Sequence, residues 1–261
     1  MGDDLVLNQK QVYLALDVGT SRLKGALVTR TGHTVKHEER HLVSDPVHSP
    51  TGETLWLIVQ EVESLVAHLT EAAFFERLDI AALGLAAHMA NALVLDESYE
   101  PLDDLMMGID EAPVWAVEKA RICGKAAGID IHQHTGCPLK AHYPLPKLCA
   151  YAAGSSNTGR ALHVGDLKSY LVWRWTKRFL TDLGSASASQ LLDQRSRQWL
   201  DLPGLQWRAS AYPSLCLPWD VVGVIGPSTG GALGLRAPVP LVVGTGDGIA
   251  ASIGAGIPPI A

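Results

Sequence analysis

The sequence predicts an α/β domain built on a mixed sheet that starts with an antiparallel meander. Two features carry this prediction. Near the N-terminus, three strand-like segments follow one another with only turn signals between them. Further along, helical and strand-like segments alternate, which is typical of α/β architecture. The chain has 261 residues, of which 47% are hydrophobic, so a full apolar core is expected rather than disorder.

The meander is predicted within residues 12–39. The apolar run 12–16 (VYLAL) indicates a first strand that ends at Asp17, and 23–29 (LKGALVT) indicates a second. The segment 34–39 follows a Thr-Gly turn signal and completes the three strands. The loop between the first two strands is therefore expected to be the first hairpin of the sheet.

The rest of the chain supplies alternating helices and strands. Residues 55–77 carry apolar side chains at helical spacing, and Thr54 is a candidate N-cap. Buried strands are predicted at 80–85 and 92–95, on either side of a polar loop. The remaining predicted elements are helices at 113–127, 145–153, 164–176 and 248–253 and strands at 220–225 and 240–243.

Composition and charge exclude several classes of protein. Lys and Arg number 21 against 27 Asp and Glu, a net charge of −6, which argues against nucleic acid as the main partner. No uncharged apolar segment reaches the roughly 18 residues of a membrane span. The N-terminus lacks the basic and apolar regions of a signal peptide. The four cysteines include no CxxC pair, so reduced thiols and a cytoplasmic location are expected.

The loop from Asp17 to Ser21 (DVGTS), with Lys24 three residues further on, is the first motif that could carry chemistry. Its backbone N–H groups and the hydroxyls of Thr20 and Ser21 could face a phosphate. The Asp17 carboxylate could hold Mg²⁺ through water. The alternative is an ordinary hairpin turn, in which Asp, Gly, Thr and Ser are favoured residues.

The second motif is 244–248 (GTGDG), which follows an apolar strand. Glycines on both sides would leave Asp247 exposed at a strand end, where α/β folds place their sites. This carboxylate could act as a general base toward a hydroxyl. Alternatively, Asp247 caps the helix that is predicted to start at Gly248. The two roles are compatible, because both use a carboxylate near a helix N-terminus.

Two further polar clusters each have two interpretations. Residues 87–91 (AHMAN) lie between two buried strands, and they form either a ligand contact or a satisfied turn. His132, His134 and Cys137 suggest a zinc site. Because zinc ligands usually come as paired sets and no second pair is present, a polar loop is the other interpretation.

Taken in order, these segments resemble the N-terminal domain of the FGGY carbohydrate kinases, which are actin/hexokinase-like ATPases. The DVGTS loop resembles the family's first phosphate motif, and 244–248 resembles the segment that holds its catalytic aspartate. The segments between them that resemble other family elements, in the same order, lie around His88, Asp110, Lys147 and 185–199. The resemblance covers about residues 12–256.

The resemblance implies a ribonuclease H-like, actin-like ATPase fold with helices on both faces of the sheet. It also implies phosphoryl transfer from ATP to a hydroxyl of a sugar or sugar acid, with Mg²⁺ as a cofactor. Asp247 would be the catalytic residue, and Asp17 would bind Mg²⁺ through water. The implied ATP-binding residues are Asp17, Gly19, Thr20, Ser21, Lys24 and Gly246, and the implied sugar contacts are His88, Met89, Asn91, Asp110 and Tyr143.

Against the family pattern, the chain resembles one lobe of two. We expect an N-terminal extension at 1–11, the sugar-binding domain at 12–256 and the start of an interdomain connection at 257–261, with the C-terminal nucleotide domain missing. The lobe alone is expected to be inactive, because closure of both lobes excludes water from the phosphate. Its uncovered interdomain face is an expected cause of homodimer formation. The alternative is a non-catalytic sugar-binding or scaffolding module derived from a kinase lobe.

Overall fold

A computed structural model describes residues 10–42, 53–156, 158–160, 162–227 and 231–256. The predicted connection at 257–261 and most of the predicted extension at 1–11 lie outside these ranges. The strands are β1 (Gln11–Val18), β2 (Arg22–Thr29), β3 (Thr34–His41), β4 (Asp79–Ala87), β5 (Leu93–Leu95), β6 (His163–Gly165), β7 (Leu180–Asp182), β8 (Leu192–Asp193), β9 (Gln198–Trp199), β10 (Ser214–Cys216), β11 (Val221–Ile225) and β12 (Val239–Val242). The helices are α1 (Glu53–Phe75), α2 (Val114–Ala126), α3 (Ile131–Thr135), α4 (Pro144–Gly154), α5 (Leu167–Thr176), α6 (Leu183–Ser187) and α7 (Asp247–Gly254). None of these helices is long and apolar enough to cross a membrane.

The described residues form one large mixed sheet, with the strand order β11-β12-β4-β1-β2-β3. Strand β1 pairs antiparallel with β2, and β2 pairs antiparallel with β3, which confirms the predicted meander. Strand β4 runs parallel to β1 and to β12, while β11 pairs antiparallel with β12. The carboxyl ends of β1, β4 and β12 therefore meet at one edge of the sheet, and their following loops gather there.

One face of this sheet packs against α1. Alternate residues of β1 are buried on this face, as the two-residue period of a strand requires. Helix α1 presents apolar side chains at helical spacing, including Ile58, Val62 and Leu65, to the same core. Gly25 of β2 permits this close approach, since a Cβ there would lie 2.5 Å from Leu69 Cδ1.

Helix α7 lies on the opposite face. Its residues Ala250 and Ala251 line a cavity together with Ala15 of β1 and Ala26 of β2. Both strand residues alternate with the buried positions of their strands, so they belong to the other side of the sheet. The mixed sheet with helices on both faces is thus confirmed.

A second apolar cluster lies beside the sheet core and is built largely by α2 and α4. Ala116 and Ala120 of α2 are buried in it with Leu145 and Leu148 of α4. Ala92, which precedes β5, belongs to the same cluster. The cluster therefore packs against the chain segment that follows the loop after β4.

Three local predictions are wrong. The helix predicted at 164–176 begins only at Leu167, because Val164 belongs to β6 and Asp166 caps the helix. Thr54 is not an N-cap but lies inside α1, whose first N–H groups are capped by a distant carboxylate: Asp104 Oδ1 accepts from Leu55 N at 3.0 Å and Oδ2 from Thr54 N at 3.3 Å. The segment interpreted as a polar loop contains the short helix α3, where Asp130 accepts a hydrogen bond from Gln133 N at 2.9 Å. A cap that comes from another part of the chain leaves no local signal in the sequence.

Candidate functional site

Three loops meet where the parallel strands end. Val18 of β1 is paired with Ala87 of β4, and Ala87 forms a parallel bridge to Gly246, shortly after β12. The His88 N–H donates to the carbonyl of Val18 at 2.8 Å, which ties the second loop to the first. The loops after β1, β4 and β12 therefore lie side by side, as expected for a site at a sheet edge.

Asp17 and Asp247 face one cavity at this edge. The cavity has a volume of about 320 Å³, and Lys24 lines it together with the two acids. We call this cavity, shared by Asp17, Lys24 and Asp247, the acidic cleft. Both acids are only partly buried, so a ligand can reach them. Two carboxylates that are far apart in the sequence thus meet in one opening.

The Asp17 carboxylate has one engaged oxygen and one free oxygen. Lys24 stands opposite Asp17 in the β1–β2 register, and its Nζ donates to Asp17 Oδ2 at 3.4 Å. Asp17 Oδ1 is buried, and it has no hydrogen-bond partner among the described residues. A buried carboxylate oxygen without a donor is costly, so this atom is suited to accept a hydrogen bond from a ligand or a bound water.

The turn after β1 combines hairpin geometry with exposed hydroxyls. Gly19 N donates to the carbonyl of Arg22 at 3.0 Å, which closes the turn. A Cβ on Gly19 would lie 2.8 Å from that same oxygen, so glycine is required there. Thr20 and Ser21 at the tip are exposed, and they remain available for a phosphate. The turn is therefore an ordinary hairpin, and its exposed hydroxyls leave the phosphate interpretation open.

Asp247 is the first residue of α7, and Gly246 is its N-cap. The Asp247 side chain does not cap the helix from outside; its Oδ1 accepts a hydrogen bond from Gly248 N at 2.8 Å. Gly246, an implied ATP contact, is buried, and a Cβ there would lie 2.5 Å from Met89 Cγ. In this structure, the absent side chain of Gly246 makes room for Met89, a residue with an implied sugar contact.

His88 and Asn91 form a fixed pair in the loop after β4. Both are 4% exposed, and Asn91 Nδ2 lies 3.1 Å from His88 Nδ1 and donates to the His88 carbonyl at 2.7 Å. Asn91 Oδ1 accepts from Leu167 N at 2.7 Å, which fixes the direction of its amide. Burial lowers the pKa of His88, while the negative charges of Asp247 and Asp166 oppose this only in part.

The neutral His88 ring therefore accepts at Nδ1 and carries its proton on Nε2. His88 Nε2 is buried and has no partner in the described part of the chain. The ring thus offers one N–H to a ligand that reaches it.

Asp110 and Tyr143 do not line the acidic cleft, and the same holds for the other predicted site residues Gly19, Thr20, Ser21, His88, Met89, Asn91 and Gly246. Asp110 is exposed, and its Oδ2 accepts a hydrogen bond from Met107 N at 2.7 Å, which closes a local turn. Tyr143 precedes α4 with its ring 4.4 Å from the ring of His142, and burial raises its pKa. Among the described residues that line the acidic cleft, neither of these two is present.

Lys147 was identified in the sequence only through the family signature, and the structure gives it a definite place. It is 4% exposed, and its Nζ donates to the carbonyls of Met107 and, at 3.5 Å, Ala90. Burial lowers its pKa to about 8, against the opposing charge of Asp110. Lys147 therefore ties the loop after β4 to the segment that carries Asp110.

The sequence analysis missed a group of buried polar side chains next to the segment that leads to Asp247, which we call the buried polar hub. It comprises Lys168, Asp182 and Thr245, which are 1%, 0% and 5% exposed. Lys168 Nζ donates to Asp182 Oδ1 at 2.8 Å, and Thr245 Oγ1 donates to Asp182 Oδ2 at 2.9 Å. Burial lowers the pKa of Lys168, while Asp182 opposes the shift. The hub connects α5, the end of β7 and the segment that leads to Asp247.

The three residues of the zinc interpretation do not form a metal site. His134 Nδ1 lies 2.9 Å from the carbonyl of Asp130, and Cys137 Sγ donates to the carbonyl of Ser187 at 3.3 Å. Across the described ranges, no group of three or more His, Cys, Asp or Glu side chains could hold a metal ion.

Comparisons with known proteins agree on one family. The N-terminal domain of the FGGY family of carbohydrate kinases matches residues 12–254. Xylulose kinase of Klebsiella pneumoniae is 27% identical over 94% of this chain and 50% of its own length, and gluconokinase of Bacillus subtilis is 22% identical over 92% and 47%. The chain spans about half the length of these curated relatives.

Solved structures share the same fold. Xylulose kinase from Lactobacillus acidophilus superposes with a TM-score of 0.78 at 23% identity, covering 94% of this chain and 50% of that one. Xylulose kinase from Rhodospirillum rubrum gives a TM-score of 0.80 at 18% identity, with coverage of 95% and 51%. The fold is thus that of the actin-like ATPases. The chain belongs to the FGGY family of carbohydrate kinases, and it corresponds to the N-terminal domain of that family.

Proposed function

We propose that this chain is the sugar-binding lobe of an enzyme that transfers a phosphoryl group from ATP to a hydroxyl of a sugar or sugar acid. The observation that carries the proposal is the acidic cleft, where Asp17 and Asp247 share one cavity at the ends of parallel strands. Family membership supports the reaction class, since the similar proteins are named xylulose kinase, gluconokinase and glycerol kinase. Reduced buried cysteines and a need for ATP fit a cytoplasmic location.

Asp247 is proposed as the catalytic residue. Its position at the start of α7, half-buried at the cleft, suits a carboxylate that orients the acceptor hydroxyl and takes its proton. In a loose phosphoryl-transfer transition state the proton can leave late, so a strong base is not needed. Positioning of the hydroxyl then contributes most to the rate.

Asp17 and its turn are proposed to face the nucleotide. The unpartnered Oδ1 of Asp17 fits a water that belongs to a bound Mg²⁺, and this ion would neutralise charge on the transferred phosphoryl group. The exposed hydroxyls of Thr20 and Ser21, the backbone at Gly19 and the ammonium of Lys24 are suited to phosphate oxygens.

The loop after β4 is proposed to contact the sugar. His88 supplies a neutral N–H donor that Asn91 holds in place. Met89 packs against Gly246, the residue before Asp247. Asp110 and Tyr143 remain proposed sugar contacts. Because the structural relatives are about twice as long, we propose that a second domain completes the nucleotide site and that this lobe alone turns over very slowly.

The test uses the 261-residue chain with D-xylulose, D-gluconate or glycerol, followed by NMR chemical shifts at residues 88–91 and 247. We expect one acceptor to bind, Asp247→Ala to weaken its affinity roughly tenfold through loss of a charged hydrogen bond, and Asp17→Ala to leave it unchanged. Asp79→Ala, an exposed acid at the other end of β4, is the control.

Phosphorylation of the same three acceptors by MgATP is measured in parallel, and we expect rates no higher than those without the protein. Sustained turnover that Asp247→Ala abolishes would support the catalytic assignment and refute the need for a second domain. Failure of all three acceptors to bind, or binding that is indifferent to Asp247→Ala, would contradict a sugar-binding lobe.

A further inference from the structure

The segment that carries Asp247 is held by a buried hydrogen bond. Thr245, two residues earlier, is buried, and its hydroxyl donates to Asp182 Oδ2 at 2.9 Å. The side chain of Asp247 itself is bonded, within the described residues, only to Gly248 N in its own helix turn. The direction of the Asp247 carboxylate is therefore set by the backbone of residues 245–247, which is held by the Thr245 hydroxyl on one side and by the bridge between Gly246 and Ala87 on the other.

Asp182 is a rigid anchor for this contact. Its Oδ1 accepts from Lys168 Nζ at 2.8 Å, and its Oδ2 accepts from Ser185 N at 3.1 Å as well as from Thr245. The Lys168 and Asp182 side chains are 1% and 0% exposed. Charged hydrogen bonds in such a dry environment are strong, so the carboxylate has little freedom to rotate.

Close packing adds a second constraint on α7. A Cβ on Gly184 would clash with Thr245 Oγ1, and it would lie 2.8 Å from Asp182 Oδ2 and 2.9 Å from Ile249 Cδ1. Helix α6 thus packs both against the Thr245–Asp182 bond and against Ile249, one turn further along α7. Asp247 lies between Thr245 and Ile249 in the chain, so the hydrogen bond and this packing contact fix the backbone on both sides of it.

We propose that Asp182 and Thr245 are positioning residues that hold Asp247 toward the acidic cleft. The inference rests on the proposed role of Asp247 as the catalytic residue. Lys168 fixes the orientation of the Asp182 carboxylate through a hydrogen bond, and Thr245 connects that carboxylate to the start of α7.

Thr245→Val is the main test, because it removes the hydroxyl and nearly preserves the side-chain volume. Thr181→Val is a matched control: Thr181 is 1% exposed and its hydroxyl also donates to a carboxylate at 2.9 Å, but that partner is Asp166 and not Asp182. Both variants lose one hydrogen bond from a buried threonine hydroxyl to a carboxylate, although Asp166 is less buried than Asp182. Only the first is attached to the Asp247 segment.

Amide hydrogen exchange and the carbon-13 chemical shift of the Asp247 carboxylate are measured by NMR. We expect the amides of 246–250 to exchange roughly fivefold faster in Thr245→Val, with a changed Asp247 chemical shift, and both to be unchanged in Thr181→Val. Thr245→Ser should restore both readouts. Gly184→Ala should accelerate the same amides, since its new methyl group would clash with the Thr245 hydroxyl and with Asp182 Oδ2, the two partners of this hydrogen bond, and with Ile249 of α7.

Unchanged exchange in Thr245→Val, or equal acceleration in Thr181→Val, would overturn the proposal. A loss of thermal stability shared by both variants without a local effect at 246–250 would indicate a purely structural bond. None of these readouts requires turnover or a bound sugar. Failure of the sugar-binding test would therefore count against the proposed function, whereas failure here counts against the positioning role alone.

Discussion

The acidic cleft and the buried polar hub are neighbours, because Thr245 of the hub lies two residues before Asp247 of the cleft. Their charged side chains nevertheless differ in exposure and in pairing. In the cleft, the side chains of Asp17 and Lys24 are 38% and 46% exposed and lie 3.4 Å apart. In the hub, Lys168 and Asp182 are almost inaccessible and 2.8 Å apart. Exposed charges keep part of their hydration and stay free to bind a ligand, whereas buried charges must be fully paired. The buried pair is connected to the segment of Asp247 through Thr245, whereas the Asp17–Lys24 pair faces the open cavity.

Breaking the hub should have the largest effect on stability. Asp182→Ala leaves the Lys168 ammonium buried without its carboxylate, so we expect a loss of roughly 3–5 kcal/mol in the free energy of unfolding. Urea denaturation followed by tryptophan fluorescence measures this loss. Asp17→Ala, which removes a partly exposed acid, is the control and should cost about 1 kcal/mol or less.

A compound variant sharpens the comparison. Lys168→Met combined with Asp182→Ala removes both charges, so much of the loss should be recovered, as for other buried ion pairs. If Asp182→Ala alone costs no more than Asp17→Ala, the distinction between hub and cleft is wrong.

Lys147 should make stability depend on pH in a defined window. In the unfolded chain its amine has the ordinary pKa of 10.5, whereas burial lowers the pKa to about 8 in the folded chain. Between these values the unfolded chain holds a proton that the folded chain has released, so the destabilisation caused by burying this amine decreases as pH rises. Below pH 8 both states are protonated, and the contribution becomes constant.

Lys147→Met removes this contribution, and its effect is read as a difference. We expect the free energy of unfolding of the native chain, relative to the variant, to rise from pH 8 to pH 10 and to be flat from pH 6 to pH 7. Buried Cys149 and Tyr170, whose pKa values are both raised to about 12, act in the opposite direction, but they are present in both proteins and cancel. A difference that falls over this range would contradict the assigned shift.

The cleft and the hub also differ in how far the sequence could predict them. Asp17 and Asp247 follow apolar strands and are flanked by glycine and small polar residues, so local chemistry marks them. Parallel pairing of β1, β4 and β12 then brings them together. The meander and the two acidic motifs were thus accessible from local pattern, whereas the strand order came only from the structure.

The hub was not accessible, because burial there is decided by tertiary contacts. Lys168 looks like one polar position in a helix, and its partner Asp182 is a cap residue of α6 by local pattern. Only the packing of β7 and α6 against α5 makes them a buried pair. Lys147 did leave a signal: it stands between Leu145 and Leu148 in a predicted helix, where all three prove to be buried. An isolated lysine among core positions indicates a specific internal partner.

The smallest expected effect concerns Lys24. Because its contact with Asp17 is long and largely hydrated, Lys24→Gln should change the free energy of unfolding by about 0–1 kcal/mol at low salt, and by less at high salt. Arg121→Gln is the control, since Arg121 forms an exposed pair with Glu118 at 3.1 Å on α2, a helix outside the cleft. Urea denaturation at low and high NaCl concentration compares the two variants.

The same variant separates a structural from a ligand-directed role for Lys24. If Lys24 serves mainly to hold Asp17, then Lys24→Gln should destabilise the fold more than Arg121→Gln, and salt should not remove the difference. If the two variants lose the same free energy of unfolding and salt reduces both losses, the Lys24 ammonium contributes little to the stability of the fold. An ammonium beside a carboxylate with one free oxygen, in an open cavity, would then be available for the negative charge of a phosphate, in contrast to Lys168, whose charge is committed to Asp182.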